Sequence, residues 1–325
     1  MTTLGASENG APFSEREEVF MYDMIVVGGG PAGMTAALYA LRNGKSVLVI
    51  EKAGFGGQIT HSPKVENYPG TLTMSGNEFA DRFLEQILAQ GAEVELDRVV
   101  SVELEGDMKV VTTEYGSRFE ALTVVLATGV KHRMLGLEGE EELVGEGISF
   151  CAVCDGDFYS GRTVCVAGGG NSALQEAILL AEKCSRVIIL QDLPMLTGEE
   201  RLQQVLRSRE NVTIITNQKI VGLLKDGDVL CGVETEDRTS GEKRSVACDG
   251  LFVAIGLIPE NEPFEKFVDL NRYGYFEVDE QCVTKTPGIY VAGDCRSKYV
   301  RQLTTAVADG ATAALAACRY INERK

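Results

Sequence analysis

Residues 23–51 read DMIVVGGGPAGMTAALYALRNGKSVLVIE, and this stretch determines the fold. The apolar run MIVV is followed by a glycine-rich turn, a helical segment, Gly44 as a helix stop, and a second apolar run, SVLVIE. The order strand, turn, helix, strand is that of a βαβ unit, whose parallel strands require helices on the faces of the sheet. The stretch therefore predicts an α/β fold.

The turn in this unit has the pattern GxGxxG at Gly28, Gly30 and Gly33. Glycines at these positions let the backbone approach a pyrophosphate, which the free N–H groups at the start of the next helix can hold. Glu51 ends the following strand, where a carboxylate can accept hydrogen bonds from a ribose. This context predicts a dinucleotide site; the alternative is a merely glycine-rich turn.

Residues 162–192 repeat the plan as TVCVA, GGGNSA, LQEAILLAEKC and RVIIL. With a constant offset of 140 residues, Gly28 aligns with Gly168, and Val47 aligns with Val187. Two copies of one nucleotide-binding plan are therefore expected. We assign seven residues to the second site, with Asn171 and Ser172 as helix-capping residues: Gly168, Gly170, Asn171, Ser172, Ala173, Gln191 and Asp192.

The second site differs from the first in its charges. Gln191 occupies the position of Glu51, and Asp192 follows it. Residues 187–200, VIILQDLPMLTGEE, contain no Arg, Lys or His. The 2′-phosphate of NADPH carries roughly −1.5 to −2 charges and is normally held by arginine. The segment therefore favours NADH over NADPH, or a site that has lost its nicotinamide role.

Residues 149–156, SFCAVCDG, contain the one close cysteine pair, Cys151 and Cys154, with Asp155 directly after it. CxxC thiols can close a disulfide across a short turn and attack as thiolates near neutral pH, and the carboxyl can move a proton. Half a zinc site would need two further ligands, and the chain offers only His61 and His132 beside scattered cysteines. A redox pair is the favoured interpretation, over a zinc site, a structural disulfide or inert core thiols.

The remaining segments predict further elements. Ser75 and Glu78 have capping-box spacing at the start of a helix that should end at Gly91. Alternating runs within residues 99–129 and 211–237 predict antiparallel strands, and the last third predicts a strand, a turn and a final helix. The seven other cysteines are expected to be mostly buried reduced thiols, and His61 is expected in a polar loop.

Length and charge limit the function classes. The 325 residues are enough for two domains, and the net charge of −17 disfavours nucleic acid and anionic membranes as partners. Residues 1–20 lack the apolar run of a secretory signal, and no stretch resembles a membrane helix. We expect a flexible tail over residues 1–20 and a cytoplasmic protein without a metal site.

The motifs together resemble the low-molecular-weight bacterial thioredoxin reductases. GGGPAG, GGQITHSPKVENYPG, ATG, CAVCDG, GGGNSA and VAGDCRSKYVRQLTTAVADGATAA follow one another in the order and spacing of that family. The resemblance covers nearly the whole chain from Met21 onward. It implies two Rossmann-like, three-layer domains: a discontinuous FAD domain over residues 21–134 and 262–325, and an inserted domain over residues 135–261 with the nicotinamide-type site and the cysteines.

The resemblance also implies which residues contact FAD. The set consists of Gly28, Gly30, Pro31, Ala32, Gly33, Glu51, Lys52, Gly57, Gln58, Asn67, Ala127, Thr128, Gly129, Gly293, Asp294, Arg301, Gln302 and Leu303.

By the same resemblance, electrons pass from a donor through FAD to the disulfide and then to a thioredoxin-like protein. Cys154 is the thiol on the flavin side, Cys151 attacks the partner, and Asp155 is the acid–base group. A rotation of the inserted domain about linkers at residues 131–138 and 257–263 is expected, as is a homodimer.

The chain departs from the family where typical members carry HRR and a further arginine; here Gln191, Asp192, Leu193 and Thr197 stand. NADH or a non-nicotinamide donor such as ferredoxin is therefore expected rather than NADPH. Two other functions remain open: a flavin-dependent dithiol oxidase, and a redox-sensing flavoprotein with a vestigial second site.

Overall fold

The computed structural model describes residues 20–62 and 64–324. The predicted tail over residues 1–20 lies outside these ranges except for Phe20, which already belongs to the first strand. The strands are β1 (Phe20–Val27), β2 (Val47–Glu51), β3 (Glu93–Leu96), β4 (Val99–Glu105), β5 (Met108–Thr113), β6 (Arg118–Leu126), β7 (Lys131–His132), β8 (Ile148–Ser149), β9 (Thr163–Ala167), β10 (Arg186–Leu190), β11 (Val212–Ile215), β12 (Gln218–Asp226), β13 (Val229–Asp237), β14 (Lys243–Ala247), β15 (Gly250–Val253), β16 (Leu257–Ile258) and β17 (Ile289–Val291). The helices are α1 (Pro31–Arg42), α2 (Gly76–Ala89), α3 (Ala152–Asp155), α4 (Asn171–Ala181), α5 (Glu200–Arg207) and α6 (Leu303–Asn322).

The first lobe consists of β1–β6, β17, α1, α2 and α6. Its sheet has the order β3-β2-β1-β6-β5-β4, and β17 also pairs with β6. The contacts of β1 with β2 and β6, and of β17 with β6, are parallel, whereas β4, β5 and β6 pair antiparallel as expected. The chain thus returns near its C-terminus to complete the sheet on which it began.

Among residues 20–62 and 64–324, the α-helices of this lobe cover one face of the sheet. Residues of α1, α2 and α6 pack with alternate residues of β1, β2 and β6, and Gly310 lets α6 approach α1 closely. A Cβ at Gly310 would lie 2.2 Å from the carbonyl oxygen of Ala32. The other face packs with residues of β4 and β5, which form the antiparallel end of the same sheet. It also packs with Phe264, Phe267 and Phe276. The third layer is therefore not the second layer of helices that the βαβ pattern predicted.

The second lobe consists of β8–β15 and α3–α5, and it repeats this layering. Its parallel sheet has the order β11-β10-β9-β15-β8, with α4 and α5 on one face and the antiparallel strands β12 and β13 on the other. In the first lobe Met24 pairs with Val47, and in the second Val164 pairs with Val187. The strand register is thus identical after the 140-residue offset, which confirms the predicted repeat.

Two segments connect the lobes, and they pair with each other. Strands β7 and β16 form an antiparallel ladder in which Lys131 faces Ile258 and His132 faces Leu257. The N–H of Arg133 extends the ladder to the carbonyl of Gly256 at 3.0 Å. The two connections therefore cross between the lobes side by side as one narrow ribbon.

Some local predictions hold only in part. Ser75 caps α2 by accepting from the N–H of Glu78 at 3.0 Å, but the Glu78 carboxylate pairs with Arg82 instead of completing the capping box. Six of the seven free cysteines are buried as expected, whereas Cys231 on β13 is exposed. Asn171 and Ser172 do not cap α4, because the helix begins at Asn171 after Gly170.

Candidate active site

The first glycine loop is shaped by contacts that leave no room for side chains. Gly28 has φ +110°, and a Cβ there would lie 2.3 Å from the carbonyl oxygen of Ala127, at the end of β6. At Gly33, a Cβ would lie 1.9 Å from the carbonyl oxygen of Gly28. Helix α1 begins at Pro31 without a side-chain cap. Its first N–H groups are therefore available to an anion, as the sequence predicts.

Glu51 lies beneath this loop. Its Oε2 accepts a hydrogen bond from the N–H of Gly29 at 2.7 Å, and its Oε1 accepts one from the N–H of Ala53 at 3.0 Å. The carboxylate thus fixes the loop, while a carboxylate oxygen has further lone pairs with which it can accept from a hydroxyl. Glu51 thus has a structural task in this loop that the sequence pattern did not indicate.

Two other glycines border the same loop. The N–H of Gly56 donates to the carbonyl of Gly29 at 2.9 Å, and a Cβ at Gly57 would come to 3.4 Å from Cα of Gly30. From the C-terminal region, a Cβ at Gly293 would come to 2.7 Å from Cβ of Ala32. The three segments form a cradle lined by backbone, which suits a dinucleotide pyrophosphate.

Asp309 on α6 holds the C-terminal part of this cradle. Its carboxylate accepts from the N–H of Gly293 at 3.2 Å and pairs with Arg296 at 2.8 Å and Lys298 at 3.1 Å. Lys298 also pairs with Asp294 at 2.9 Å. Sequence reasoning missed Asp309, although it lies on the same face of α6 as the buried Ala306 and Ala313.

Several of the other predicted contact residues have partners of their own. Asn67 donates to Gln302 at 3.3 Å, and Thr128 donates to the buried Asn261 at 2.9 Å. The Arg301 guanidinium stacks 4.1 Å from the Tyr275 ring centre. The remaining members are Lys52, which pairs with Glu260, Gln58, exposed in a 3-10 turn, Gly129, with φ +66°, and Leu303, the first residue of α6.

Cys151 and Cys154 form a disulfide at the start of α3, with their Cα atoms 5.3 Å apart. Ser149 joins this pair to the predicted acid–base group: its hydroxyl donates to Oδ2 of Asp155 at 2.6 Å and accepts from the N–H of Cys151 at 3.1 Å. Burial raises the pKa of the Asp155 carboxyl, and the Ser149 hydrogen bond only partly offsets this effect. The carboxyl can therefore hold a proton beside the two sulfurs.

A second carboxyl reaches the same turn from α4. Oε2 of Glu176 accepts a hydrogen bond from the N–H of Ala152, the residue directly after Cys151. Burial, with a smaller contribution from the charge of Asp155, raises the pKa of Glu176 to about 7, against the lowering effect of that hydrogen bond. No motif indicated this residue, because its contact depends on how α4 packs against α3.

The cysteine-bearing segment faces the first lobe. Phe150 stacks on His132 in β7 with ring centres 4.4 Å apart, and the Lys64 ammonium lies 5.5 Å from the centre of the Phe158 ring. Nε2 of Gln175 lies 3.3 Å from the Tyr299 hydroxyl. Burial and then the nearby charge of His61 lower the pKa of His132 to about 4. His132 is therefore neutral near pH 7 and packs the connection against the redox segment.

The second glycine loop has the backbone of the first. Gly168 has φ +119°, and a Cβ there would lie 2.5 Å from the carbonyl oxygen of Ala254 and 3.3 Å from Cβ of Ala173. Gln191 is buried beneath the loop and donates to the carbonyl of Met195 at 3.3 Å, whereas Asp192 is exposed. Asn171 bonds the backbone and side chain of Glu199. The Glu199 carboxylate therefore lies at the start of α4, and that of Asp192 directly follows the buried Gln191.

Within residues 20–62 and 64–324, no group of three His, Cys, Asp or Glu side chains is arranged to hold a metal ion. Over the same described residues, no helix combines the length and apolarity required to cross a membrane.

Comparisons with known proteins agree with this geometry. Residues 22–310 match the family model for the pyridine nucleotide-disulphide oxidoreductases. The thioredoxin reductase of Bacillus subtilis is 36% identical over 303 residues, covering 93% of this chain and 96% of the relative.

Two solved structures show how the lobes compare. The Streptococcus pyogenes thioredoxin reductase is 36% identical and aligns with a TM-score of 0.88 over 93% of this chain and 99% of its own. The Lactococcus lactis thioredoxin reductase in its FR conformation is 35% identical with the same coverage, yet its TM-score is 0.65. At nearly equal identity and coverage, the two relatives therefore differ in how closely their whole chains superpose on this one.

Proposed function

The chain belongs to the pyridine nucleotide-disulphide oxidoreductases and, within them, to the low-molecular-weight thioredoxin reductases, and from this premise we propose its reaction. It passes electrons from a donor through FAD and the Cys151–Cys154 disulfide to a disulfide of a thioredoxin-like protein. One observation carries the proposal: the disulfide and a half-buried carboxyl of raised pKa lie together on a segment that contacts the first lobe.

The first lobe would hold FAD. The N–H groups at the start of α1 and the backbone at Gly57 and Gly293 suit its pyrophosphate, and Glu51 suits its ribose. Asp294, fixed by Lys298, and Asn67 with Gln302 supply polar groups at the open side. When bound, FAD supplies the ability to take up two electrons from a donor and release them to a disulfide.

The second lobe supplies the thiol chemistry. Two electrons and two protons convert the Cys151–Cys154 disulfide to two thiols, and Asp155, which burial keeps protonated to a higher pH, can give a proton to a leaving thiolate. The Cys151 thiolate then attacks a sulfur of the partner disulfide, and that bond breaks as a mixed disulfide forms. The Cys154 thiolate attacks Cys151, which re-forms the internal disulfide and releases the partner as a dithiol.

The donor in this proposal is NADH, or a non-nicotinamide protein such as ferredoxin, rather than NADPH. A 2′-phosphate would meet the exposed Asp192 and the carboxylate of Glu199, with no cation between residues 187 and 200. The buried amide of Gln191 supports the glycine loop without adding charge. We further propose that the enzyme works in the cytoplasm as a homodimer.

Anaerobic titration of the purified protein tests the donor. NADH, NADPH and reduced ferredoxin are added in turn while bleaching of the flavin absorbance is followed. We expect bleaching with NADH or ferredoxin and reduction of added thioredoxin; preferential bleaching by NADPH would contradict the donor assignment.

A double variant tests the disulfide. Cys151→Ser with Cys154→Ser should keep flavin binding and lose thioredoxin reduction, with Cys231→Ser as the matched control at an exposed thiol. A protein that purifies without flavin, or a double variant that still reduces thioredoxin, would overturn the proposal. Peroxide release driven by a dithiol substrate would identify a dithiol oxidase instead.

A further inference from the structure

The backbone of the redox turn is held by side chains from outside it. Ser149 accepts from the N–H of Cys151, and Glu176 accepts from the N–H of Ala152. The N–H of Cys154 lies 3.2 Å from Sγ of Cys151. Through this hydrogen bond, Glu176 on α4 holds the backbone of Ala152, the residue directly after Cys151.

Reduction of the disulfide to two thiols requires a supply of protons at this turn. Two thiols need two protons, and each proton not delivered leaves a thiolate charge beside the turn. The Asp155 carboxyl can supply one of them. Glu176 is half-buried and accepts a hydrogen bond from the same turn, so its charge is less screened by water from that of a thiolate than an exposed charge would be.

We propose that Glu176 is a positioning residue for the redox pair, whose proton is exchanged in step with the thiols of Cys151 and Cys154. When a thiolate forms, the glutamic acid form keeps its proton; when the disulfide re-forms, the proton can leave. The inference rests on the proposed function only in taking Cys151 and Cys154 as the working pair.

Asp155 is the neighbouring charged group whose charge acts on the pKa of Glu176. Asp155 faces it from α3, and burial raises the pKa of Tyr159, four residues after Asp155, to about 12, so this phenol stays neutral. Three other charged groups near α4 have partners of their own: Lys183 pairs with Asp157, Arg209 pairs with Glu182, and Arg207 bonds Gln203. On β9, Cys165 lies in the core cluster of the opposite sheet face.

The sign of the effect follows from charge. Above about pH 7 the ionised Glu176 opposes a thiolate at Cys151 and so raises the pKa of that thiol. Gln in its place can still accept from the N–H of Ala152 but carries no charge. Glu176→Gln should therefore lower the pKa of the Cys151 thiol by about one unit, which is about tenfold in thiolate fraction.

The test measures alkylation of the chemically reduced protein. The holoprotein is reduced with tris(2-carboxyethyl)phosphine, which needs no flavin step, and reacted with iodoacetamide between pH 5 and 9. Mass spectrometry separates the peptide of Cys151 and Cys154 from that of the exposed Cys231. The variants are Glu176→Gln, Glu176→Ala and, as the matched control, Glu182→Gln at the exposed end of α4.

We expect the alkylation midpoint to move to lower pH by about one unit in Glu176→Gln and to stay unchanged in Glu182→Gln. A midpoint in Glu176→Gln equal to that of the wild type would overturn the inference, even if Glu176→Ala lowers stability, since that would show a structural role only. The phosphine reduces the disulfide directly, so the alkylation midpoint can be measured without donor or thioredoxin. A failure of turnover with donor and thioredoxin would therefore count against the proposed function alone.

Discussion

One oxygen of Asp155 accepts from Ser149, while the other is buried and has no hydrogen-bond partner among residues 20–62 and 64–324. An acid oxygen in that setting is better satisfied as a protonated carboxyl than as a carboxylate. Its position directly after Cys154 made Asp155 predictable from sequence. The Ser149 hydroxyl that orients it, two residues before Cys151, carried no such signal.

Asp155→Asn removes the proton and leaves a side chain of the same shape. We expect thioredoxin reduction to fall about 100-fold, the lower end of the usual contribution of general acid–base groups. The measurement is turnover with a saturating donor. Asp157→Asn, at an exposed residue paired with Lys183 at 2.6 Å, should change turnover little. Equal rates in the two variants would contradict the assigned role.

The raised pKa of Glu176 predicts that the free energy of unfolding depends on pH. Its pKa in the folded protein, about 7, lies above the unfolded value of 4.5, so the stability linked to its proton is complete below pH 4.5 and is lost as pH rises through 7. Relative to the wild type, Glu176→Gln should therefore gain a few kcal/mol in free energy of unfolding between pH 5 and pH 8. Urea denaturation of the oxidised proteins at both pH values measures the difference. A gain that is the same at both would contradict the raised pKa.

At the scale of elements, the two βαβ units were predictable because the glycine spacing and the apolar runs are local in sequence. The register of β1 with β2 and of β9 with β10 follows from that local pattern. The local pattern did not predict the layer that covers the second face of each sheet. This layer includes β4 and β5 in the first lobe and β12 and β13 in the second, which pack there through contacts distant in sequence. For the same reason Asp309 and Glu176 were missed.

The first glycine loop gives a prediction about close packing. Gly28→Ala would place a Cβ 2.3 Å from the carbonyl of Ala127 at φ +110°, so the loop must move and flavin binding should be lost. Gly44→Ala is the matched control, because its φ is +69° but nothing lies within 4 Å. It should cost only the backbone strain, about 1 kcal/mol, and keep the flavin. Flavin absorbance and denaturation measure both; flavin retained in Gly28→Ala would refute the prediction.

The segment after β10 gives a prediction about the donor. Gln191→His, Asp192→Arg, Leu193→Arg and Thr197→Arg together would supply the cations that the segment lacks. We expect the Kd for NADPH to fall at least tenfold while that for NADH changes little, because the arginines act on the 2′-phosphate. Titration calorimetry gives both constants, and the same set with Ala in place of each Arg is the control. No gain for NADPH would show that this segment does not form the adenosine site.

At the scale of the whole molecule, the contacts between lobes describe one arrangement. Gln175 and Tyr299 touch across the lobes, and the L. lactis enzyme in its FR conformation superposes on the whole chain with a TM-score of 0.65. The sequence predicted the linkers and the need for a rotation through its family resemblance. It could not predict which arrangement the chain adopts, since the contacts between the lobes join residues distant in sequence, such as Gln175 and Tyr299.

Cross-linking the lobes tests whether that rotation is needed. Gln175→Cys with Tyr299→Cys, joined by a short bis-maleimide, should fix the disulfide toward the first lobe. We expect dithiol-driven flavin reduction to persist and nicotinamide-driven turnover to fall at least tenfold. Each single variant treated with the reagent is the control. Full nicotinamide turnover in the cross-linked protein would show that no rotation is required.

The pairing of β7 with β16 has a mechanical consequence. Two separate tethers would let a lobe tilt, slide and twist independently at each attachment. Because the two strands are hydrogen-bonded to each other, stretching or separating them must break backbone hydrogen bonds, whereas twisting the ladder about its long axis breaks none. The ribbon should therefore oppose stretching and splaying more strongly than twisting about its long axis, so rotation is the relative motion of the lobes that it hinders least.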